Sequence, residues 1–165
     1  MNKILEKEFI TPDVFRMKVE TPEIANKRKA GQFIILRTCD EGERIPLTIA
    51  DGKAGEGWIE LVVQVVGKTT KALSELEAGE GICDLVGPLG RPTHIELYGN
   101  VLIVGGGIGI APSHPIAQAM KAAGNRVVSI LGGRTKDLVI MEDKMRAASD
   151  DLLITTDDGS YGMKG

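Results

Sequence analysis

VLIVGGGIGIAP, residues 101–112, sets four aliphatic residues directly against four glycines in five positions. A short uncharged aliphatic run bounded by turn residues suits a buried strand. Glycine loses more backbone freedom on folding than any other residue, so a cluster of it marks either a tight turn or a place where something approaches the main chain. Pro112 supports a helix start, because its missing N–H is not needed in the first turn. The stretch therefore reads as strand, glycine turn, helix. That order would present backbone N–H groups and the positive end of a helix to an anion such as a pyrophosphate. It is not the usual dinucleotide fingerprint, since GxGxxG from Gly105 would need glycine at Ile110, and the next strand runs into Gly132-Gly133-Arg134 with no acidic residue. A turn that binds nothing is the competing reading.

Downstream, Pro115–Ala123 has helical composition and stops at Gly124, Val127–Leu131 reads as a second strand, Leu138–Ala148 as a helix and Leu152–Thr155 as a third strand. A βαβαβ order implies a parallel sheet with right-handed crossovers. Three strands make half of an ordinary nucleotide-binding domain, so residues 99–165 are expected to be an incomplete α/β domain, with the chain truncated or compact at its C-terminal end. Upstream the rhythm differs. ILEKEFI, VFRMKVE, QFIILRT, PLTIA, WIELVVQVV and GICDLVG are short apolar segments separated by Pro, Gly and acidic turns, and Phe15, Met17 and Val19 share one face by alternation. Six such strands suggest a small antiparallel barrel over residues 1–98, which leaves no open edge. Its one expected helix, Thr70–Ala78, puts Ala72, Leu73 and Leu76 on one side.

The chain of 165 residues is 42% hydrophobic and 26% charged, ordinary for a globular protein, and its net charge of −3 gives no reason to expect nucleic acid or an anionic membrane as partner. Cys39 and Cys83 lie outside any CxxC spacing, so no disulfide framework, zinc site or iron–sulfur site is expected, and a reducing cytoplasmic setting fits. His94 and His114 are isolated from further metal-ligating residues, and no metal site is expected there. MNKILEKEF lacks a signal-peptide core, and no apolar run is long enough to span a bilayer.

Three further segments can be read two ways. Arg44 and Thr48 flank a proline-stiffened strand, which by itself suggests only an exposed arginine on the barrel. Gly67-Lys68-Thr69-Thr70 opens the barrel's helix, where phosphate binding and ordinary N-capping are equally served. Asp157-Asp158-Gly159-Ser160 follows the third strand, where ligands of open parallel sheets collect, yet it is also plain turn chemistry.

AGQF at 30–33, RIPLT at 44–48, VVGKTTKAL at 65–73, GPLG at 87–90, GGGIGIAP at 105–112 and TDDGSYGMKG at 156–165 occur in one order along nearly the whole chain. Together they resemble the ferredoxin–NADP⁺ reductase superfamily, in the branch of the dihydroorotate dehydrogenase B electron-transfer subunit and the small subunit of NADH-dependent reduced ferredoxin:NADP⁺ oxidoreductase. The resemblance implies an FAD-binding barrel followed by an NAD-binding α/β domain. Pro46, Leu47 and Thr48 would then lie along the flavin ring, with Thr48 near N5 as the catalytic position and Val62, Val63 and Gln64 on the neighbouring strand. Gly67, Thr69 and Thr70 would hold the FAD pyrophosphate, helped by Arg44; the superfamily's arginine and aromatic residue are here Ile45 and Leu47, so the stack on the ring is aliphatic. Gly106, Gly107, Gly109 and Pro112 would bind NAD(H), with Gly133, Arg134, Asp157 and Asp158 near its far half; NADP(H) is the alternative, through Arg134.

The implied activity is hydride transfer from NAD(P)H to FAD and passage of electrons to an iron–sulfur centre, a larger oxidoreductase subunit or ferredoxin. Hydride transfer needs nicotinamide C4 within about 3 to 3.5 Å of flavin N5 rather than an acid–base dyad. The family continues past the TDDGSYGMKG segment to a cysteine cluster for a [2Fe–2S] centre, which is not encoded here. The alternatives are a non-catalytic flavin- or nucleotide-holding module that serves assembly with a partner, and a nucleotide-binding protein without flavin.

Overall fold

Period-two alternation governs the first unit of the computed structural model, which describes residues 1–165 and divides into Met1–Pro92 and Thr93–Gly165. In chain order the first unit consists of β1 (Asn2–Thr11), β2 (Val14–Glu20), α1 (Pro22–Lys27), β3 (Phe33–Arg37), β4 (Ile45–Lys53), β5 (Trp58–Gln64), α2 (Lys68–Glu75), β6 (Gly81–Ile82) and β7 (Asp84–Leu89). The ladder runs β6-β1-β2-β5-β4-β3-β7, antiparallel throughout. Its two ends are one piece of chain: β6 pairs with β1, β7 pairs with β3, and only Cys83 separates them. The six expected strands are therefore present, and the sixth bends at Cys83 to close the ring.

Inward residues of each strand fill the barrel. Ile4, Phe15, Ile34, Ile49, Ile59, Leu61 and Ile82 are at most 1% exposed and pack in one cluster. The short helix α2 adds Leu73 to that cluster, with Leu76 packed against it, so its apolar side is the expected one. It begins two residues earlier than the composition suggests, because Gly67 lies outside the helix as its N-cap, and it ends sooner, because Leu76 is already extended. Strand alternation gives no sign of α1, a six-residue helix started by Pro22 that buries Ile24 and Ala25.

The second unit comprises β8 (Asn100–Gly106), a 3₁₀ turn at Gly107–Gly109, α3 (Ile110–Ala122), β9 (Arg126–Gly133), α4 (Glu142–Ala147), β10 (Asp151–Thr156) and β11 (Met163–Lys164). Its four strands are parallel in the order β11-β10-β9-β8. The two-residue β11 is a strand more than the sequence pattern predicts. The helix α3 starts at Ile110 rather than Pro115, so Pro112 sits in its first turn and Pro115 in its interior. The second helix is shorter than expected: Lys136–Leu138 forms a separate 3₁₀ turn, and Met141 takes a left-handed conformation (φ 57°) just before α4.

Val127, Ser129 and Leu131 of β9 are buried, whereas Leu102, Val104 and Leu153, on the alternate positions, are 44–66% exposed. Buried Asn125 fixes the approach to β8: its Oδ1 accepts from Tyr98 N and Gly99 N at 2.6 and 3.0 Å, and its Nδ2 donates to Glu96 O and Met120 O, both at 2.9 Å. No helix is long and apolar enough to cross a membrane.

Phe15→Ala is expected to lower the unfolding free energy of the barrel by about 3–5 kcal/mol, measured by urea denaturation. Phe9→Ala, at a ring 48% exposed and 5.5 Å from Phe15, is expected to lower it by less.

Candidate functional site

Each unit carries its own group of candidate residues. On the barrel, alternation along β4 packs Ile45 and Leu47 against the core and buries Ile49, leaving Pro46 and Thr48 on the outer surface. There they pair with Ile35 and Phe33 of β3. The Thr48 hydroxyl is half-buried and makes no hydrogen bond to the rest of the chain. On the adjacent strand β5, Leu61 and Val63 belong to the core, while Val62 and Gln64 lie on the opposite side, where Val62 is covered to 8% exposure and Gln64 is half-buried. Gln64 Nε2 donates to Asp13 Oδ2 at 2.9 Å, which fixes its amide. Pro46, Thr48, Val62 and Gln64 thus share the outer surface of two neighbouring strands, whereas Leu47 and Val63 give their side chains to the core and present only main chain outward.

The same strand β5 leads into the start of α2. The first amides of a helix have no intrahelical acceptor, and Gly67 supplies no side chain to cap them. The Thr70 hydroxyl, which accepts from Val66 N and Gly67 N at 3.0 Å each, shapes the turn ahead of the helix. At Gly67 a Cβ would meet nothing within 4 Å, and φ is −149°, open to any residue. The fold does not require glycine there. Thr69 is buried and Thr70 half-buried in that first turn. Arg44 precedes β4 and is engaged with Asp84 Oδ2 at 2.8 Å, a carboxylate that also lies 3.4 Å from Arg37 Nε. At 56% side-chain exposure this pair is worth at most about 1 kcal/mol.

In the second unit, parallel register brings the three strand ends to one edge of the sheet: Gly106 of β8 pairs with Gly132 of β9, and Thr155 of β10 with Gly132 from the other side. The glycines of the opening motif divide into two kinds. A Cβ on Gly105 would press on the Ile110 Cα and Ser113 Oγ at 3.0 Å, so packing demands that glycine. Gly107 is set by its positive φ of 52°. Gly106 and Gly109 are different: a Cβ would find only Gly132 O at 3.9 Å at the first and nothing at the second. Both stand at the start of α3, which has no side-chain cap. Pro112 is half-buried in the first turn.

After β9, a Cβ on Gly133 would meet Val139 Cγ2 at 3.0 Å and Thr135 O at 3.2 Å, so its own turn accounts for it. Gly132, one residue earlier, has nothing nearer than 3.8 Å and lies beside Gly106. Sequence reasoning passed over Gly132, although the doubled glycine at a strand end was the available signal. Arg134 is exposed and has no ion pair. Asp157 and Asp158 are exposed; their amides donate to Gly133 O and Arg134 O at 3.1 and 3.3 Å. Hydrogen bonds from Ser160 hold the Asp158 carboxyl below its usual range, and the bond to Glu142 holds the Tyr161 phenol above its own.

A closed antiparallel barrel followed by a parallel sheet with a glycine turn defines the two-unit architecture of ferredoxin reductases. The chain belongs to the oxidoreductase FAD-binding domain family, which matches residues 2–94. It is 53% identical over 165 residues to a dihydroorotate dehydrogenase B (NAD⁺) electron transfer subunit homolog of Thermotoga maritima, covering all of this chain and 58% of that one. It is 37% identical over 167 residues to the dihydroorotate dehydrogenase B (NAD⁺) electron transfer subunit of Streptococcus thermophilus, covering 98% of this chain and 64% of that one. Among solved structures it superposes with a TM-score of 0.96 and 49% identity on a chain of NADH-dependent reduced ferredoxin-NADP oxidoreductase, over 100% of this chain and 59% of that one. The chain therefore spans about six-tenths of the length of these relatives.

Gly105→Ala is expected to destabilise the second unit by about 1–3 kcal/mol, whereas Gly106→Ala and Gly67→Ala are expected to leave thermal unfolding within experimental error of the parent. Differential scanning calorimetry of the three variants checks the contrast.

Proposed function

We propose that this chain is the flavin- and nicotinamide-binding part of an electron-transfer oxidoreductase, with FAD on the outer surface of β4 and β5 and NAD(H) at the carboxyl edge of the parallel sheet. The observation that carries this reading is the pair of helix starts whose glycines, Gly67 in one unit and Gly106 and Gly109 in the other, are not needed by the fold. Each leaves main-chain amides approachable where a pyrophosphate would lie. The family match over the barrel and the names of the relatives point the same way.

When bound, FAD supplies the acceptor atom for a hydride and the means to pass its electrons on. With NADH as donor, the bound groups would supply hydride transfer and onward electron transfer to an iron–sulfur centre, ferredoxin or a larger oxidoreductase subunit. The chain's own contributions are positional. The Thr48 hydroxyl, with no partner inside the protein, is available to bond at flavin N5. Pro46 and Val62 keep water from the ring. The first-turn amides of α2, with Thr69, Thr70 and Arg44, hold the FAD pyrophosphate. Gly106, Gly107, Gly109 and Pro112 receive the dinucleotide phosphates, and Gly133, Arg134, Asp157 and Asp158 border its far half.

Protein purified with FAD is expected to be yellow and to lose its flavin absorbance when NADH is added under nitrogen; a folded chain that takes up no FAD overturns the proposal. Thr48→Ala is expected to slow that reduction about tenfold, the value of one hydrogen bond of about 1.4 kcal/mol, read by stopped-flow absorbance. Gly67→Ala is expected to weaken FAD and spare NADH binding, and Gly106→Ala the reverse, in titrations of each ligand. The exposed apolar positions of β8, Leu102 and Val104, favour one second reading, a flavin-holding module that serves assembly without turnover; flavin that binds yet stays oxidised in excess NADH would select it.

A further inference from the structure

The two loops that leave β9 and β10 are tied into one piece by contacts that the cofactor sites above do not use. Besides the two amide bonds from Asp157 and Asp158, Lys136 N donates to Ser160 Oγ at 2.9 Å. Lys136 Nζ lies 5.3 Å from the centroid of the Tyr161 ring. The Tyr161 phenol donates to Glu142, both of whose carboxylate oxygens lie at 3.0 Å. One turn further along α4, Arg146 Nη2 donates to Glu142 Oε1 at 2.7 Å. Tyr161 also closes on Thr156, whose Oγ1 accepts from Tyr161 N at 3.1 Å and donates to Tyr161 O at 2.9 Å. The left-handed Met141 is the one non-glycine residue of the chain at positive φ, and it sets the direction in which Glu142 leaves the chain.

We propose that Tyr161 is a positioning residue: through Glu142 it holds the Asp157–Ser160 turn against the end of β9 and so shapes the surface that receives the adenosine half of the dinucleotide. The inference rests on the reading of the second unit as an NAD(H) site. A turn of Asp-Asp-Gly-Ser has little packing of its own, and ordering it on binding would cost affinity that pre-organisation saves. With the amides of Asp157 and Asp158 committed to Gly133 O and Arg134 O, the turn offers acceptor oxygens to a ligand, which suits ribose hydroxyls. Glu142, with its side chain only 26% exposed, bonds the phenol away from much of the competing solvent.

The test is equilibrium titration of the FAD-loaded protein with NADH and, separately, with ADP-ribose, which lacks the nicotinamide ring. Tyr161→Phe keeps the ring under Lys136 and removes the phenol bond; it is expected to raise both dissociation constants about fivefold, by the same factor, with FAD content unaltered. Glu142→Ala is expected to match it. Glu142→Gln, which retains an acceptor for the phenol, is expected to stay within twofold of the parent. Circular dichroism identifies any variant that fails to fold, and the Glu142 pair then decides alone. Dissociation constants equal to the parent's in Tyr161→Phe and Glu142→Ala, even with a lower melting temperature, would overturn the positioning role while leaving the NAD(H) site intact. A parent protein that binds neither ligand would instead overturn the reading of the second unit, and this inference with it.

Discussion

Main-chain N–H groups at a helix start must find acceptors, and none of the four helices of this chain receives one from a capping side chain. In most proteins a Ser, Thr, Asp or Asn side chain fills that need. What sets α2 and α3 apart is glycine at the N-cap, Gly67 and Gly109, where α1 has Thr21 and α4 has Met141. The rest of each unit holds these starts in place. Leu73 anchors α2 in the barrel core, and the parallel register of β8, β9 and β10 sets the turn ahead of α3 beside the ends of two further strands. Glycine at those two N-caps leaves the neighbouring main chain open to close approach, which Thr21 and Met141 at the other two do not.

The division of labour between strand faces explains how a small barrel can be both a core and a binding surface. Ile45, Leu47 and Ile49 face in, while Pro46 and Thr48 face out from the same strand, so a substitution at one position changes packing and at the next changes surface chemistry. Gln64 shows the same economy: tied to Asp13, it presents a fixed edge rather than a mobile amide. The family match covers this barrel, and the longer relatives carry it together with a second unit of the kind seen here.

Much of this architecture was legible in the sequence because its signals are local. Alternation in VFRMKVE, the aliphatic run before GGGIGIAP and the turn residues between strands each act over a few residues. What was not legible depends on contacts distant in sequence. Nothing in Gly105-Gly106 tells the two glycines apart until Ser113 is seen to crowd one and not the other. The inward packing of Leu47 follows from the barrel's closure through the bend at Cys83, which no periodicity announces. Tyr161 and Glu142 lie nineteen positions apart and read, one by one, as an aromatic in a turn and an acid at a helix start. Arg44 looked like a free cation because Asp84, its partner across the barrel wall, comes forty residues later.

The strand Asn100–Gly106 forms the rim of its sheet. It hydrogen-bonds to a neighbour on one side only, and its solvent-facing positions are Leu102 and Val104, with no lysine, proline or bulge along its length. Those are the devices by which sheet rims ordinarily refuse company. A rim lacking all of them is open to one more extended segment, and the relatives that this chain matches are longer than it is.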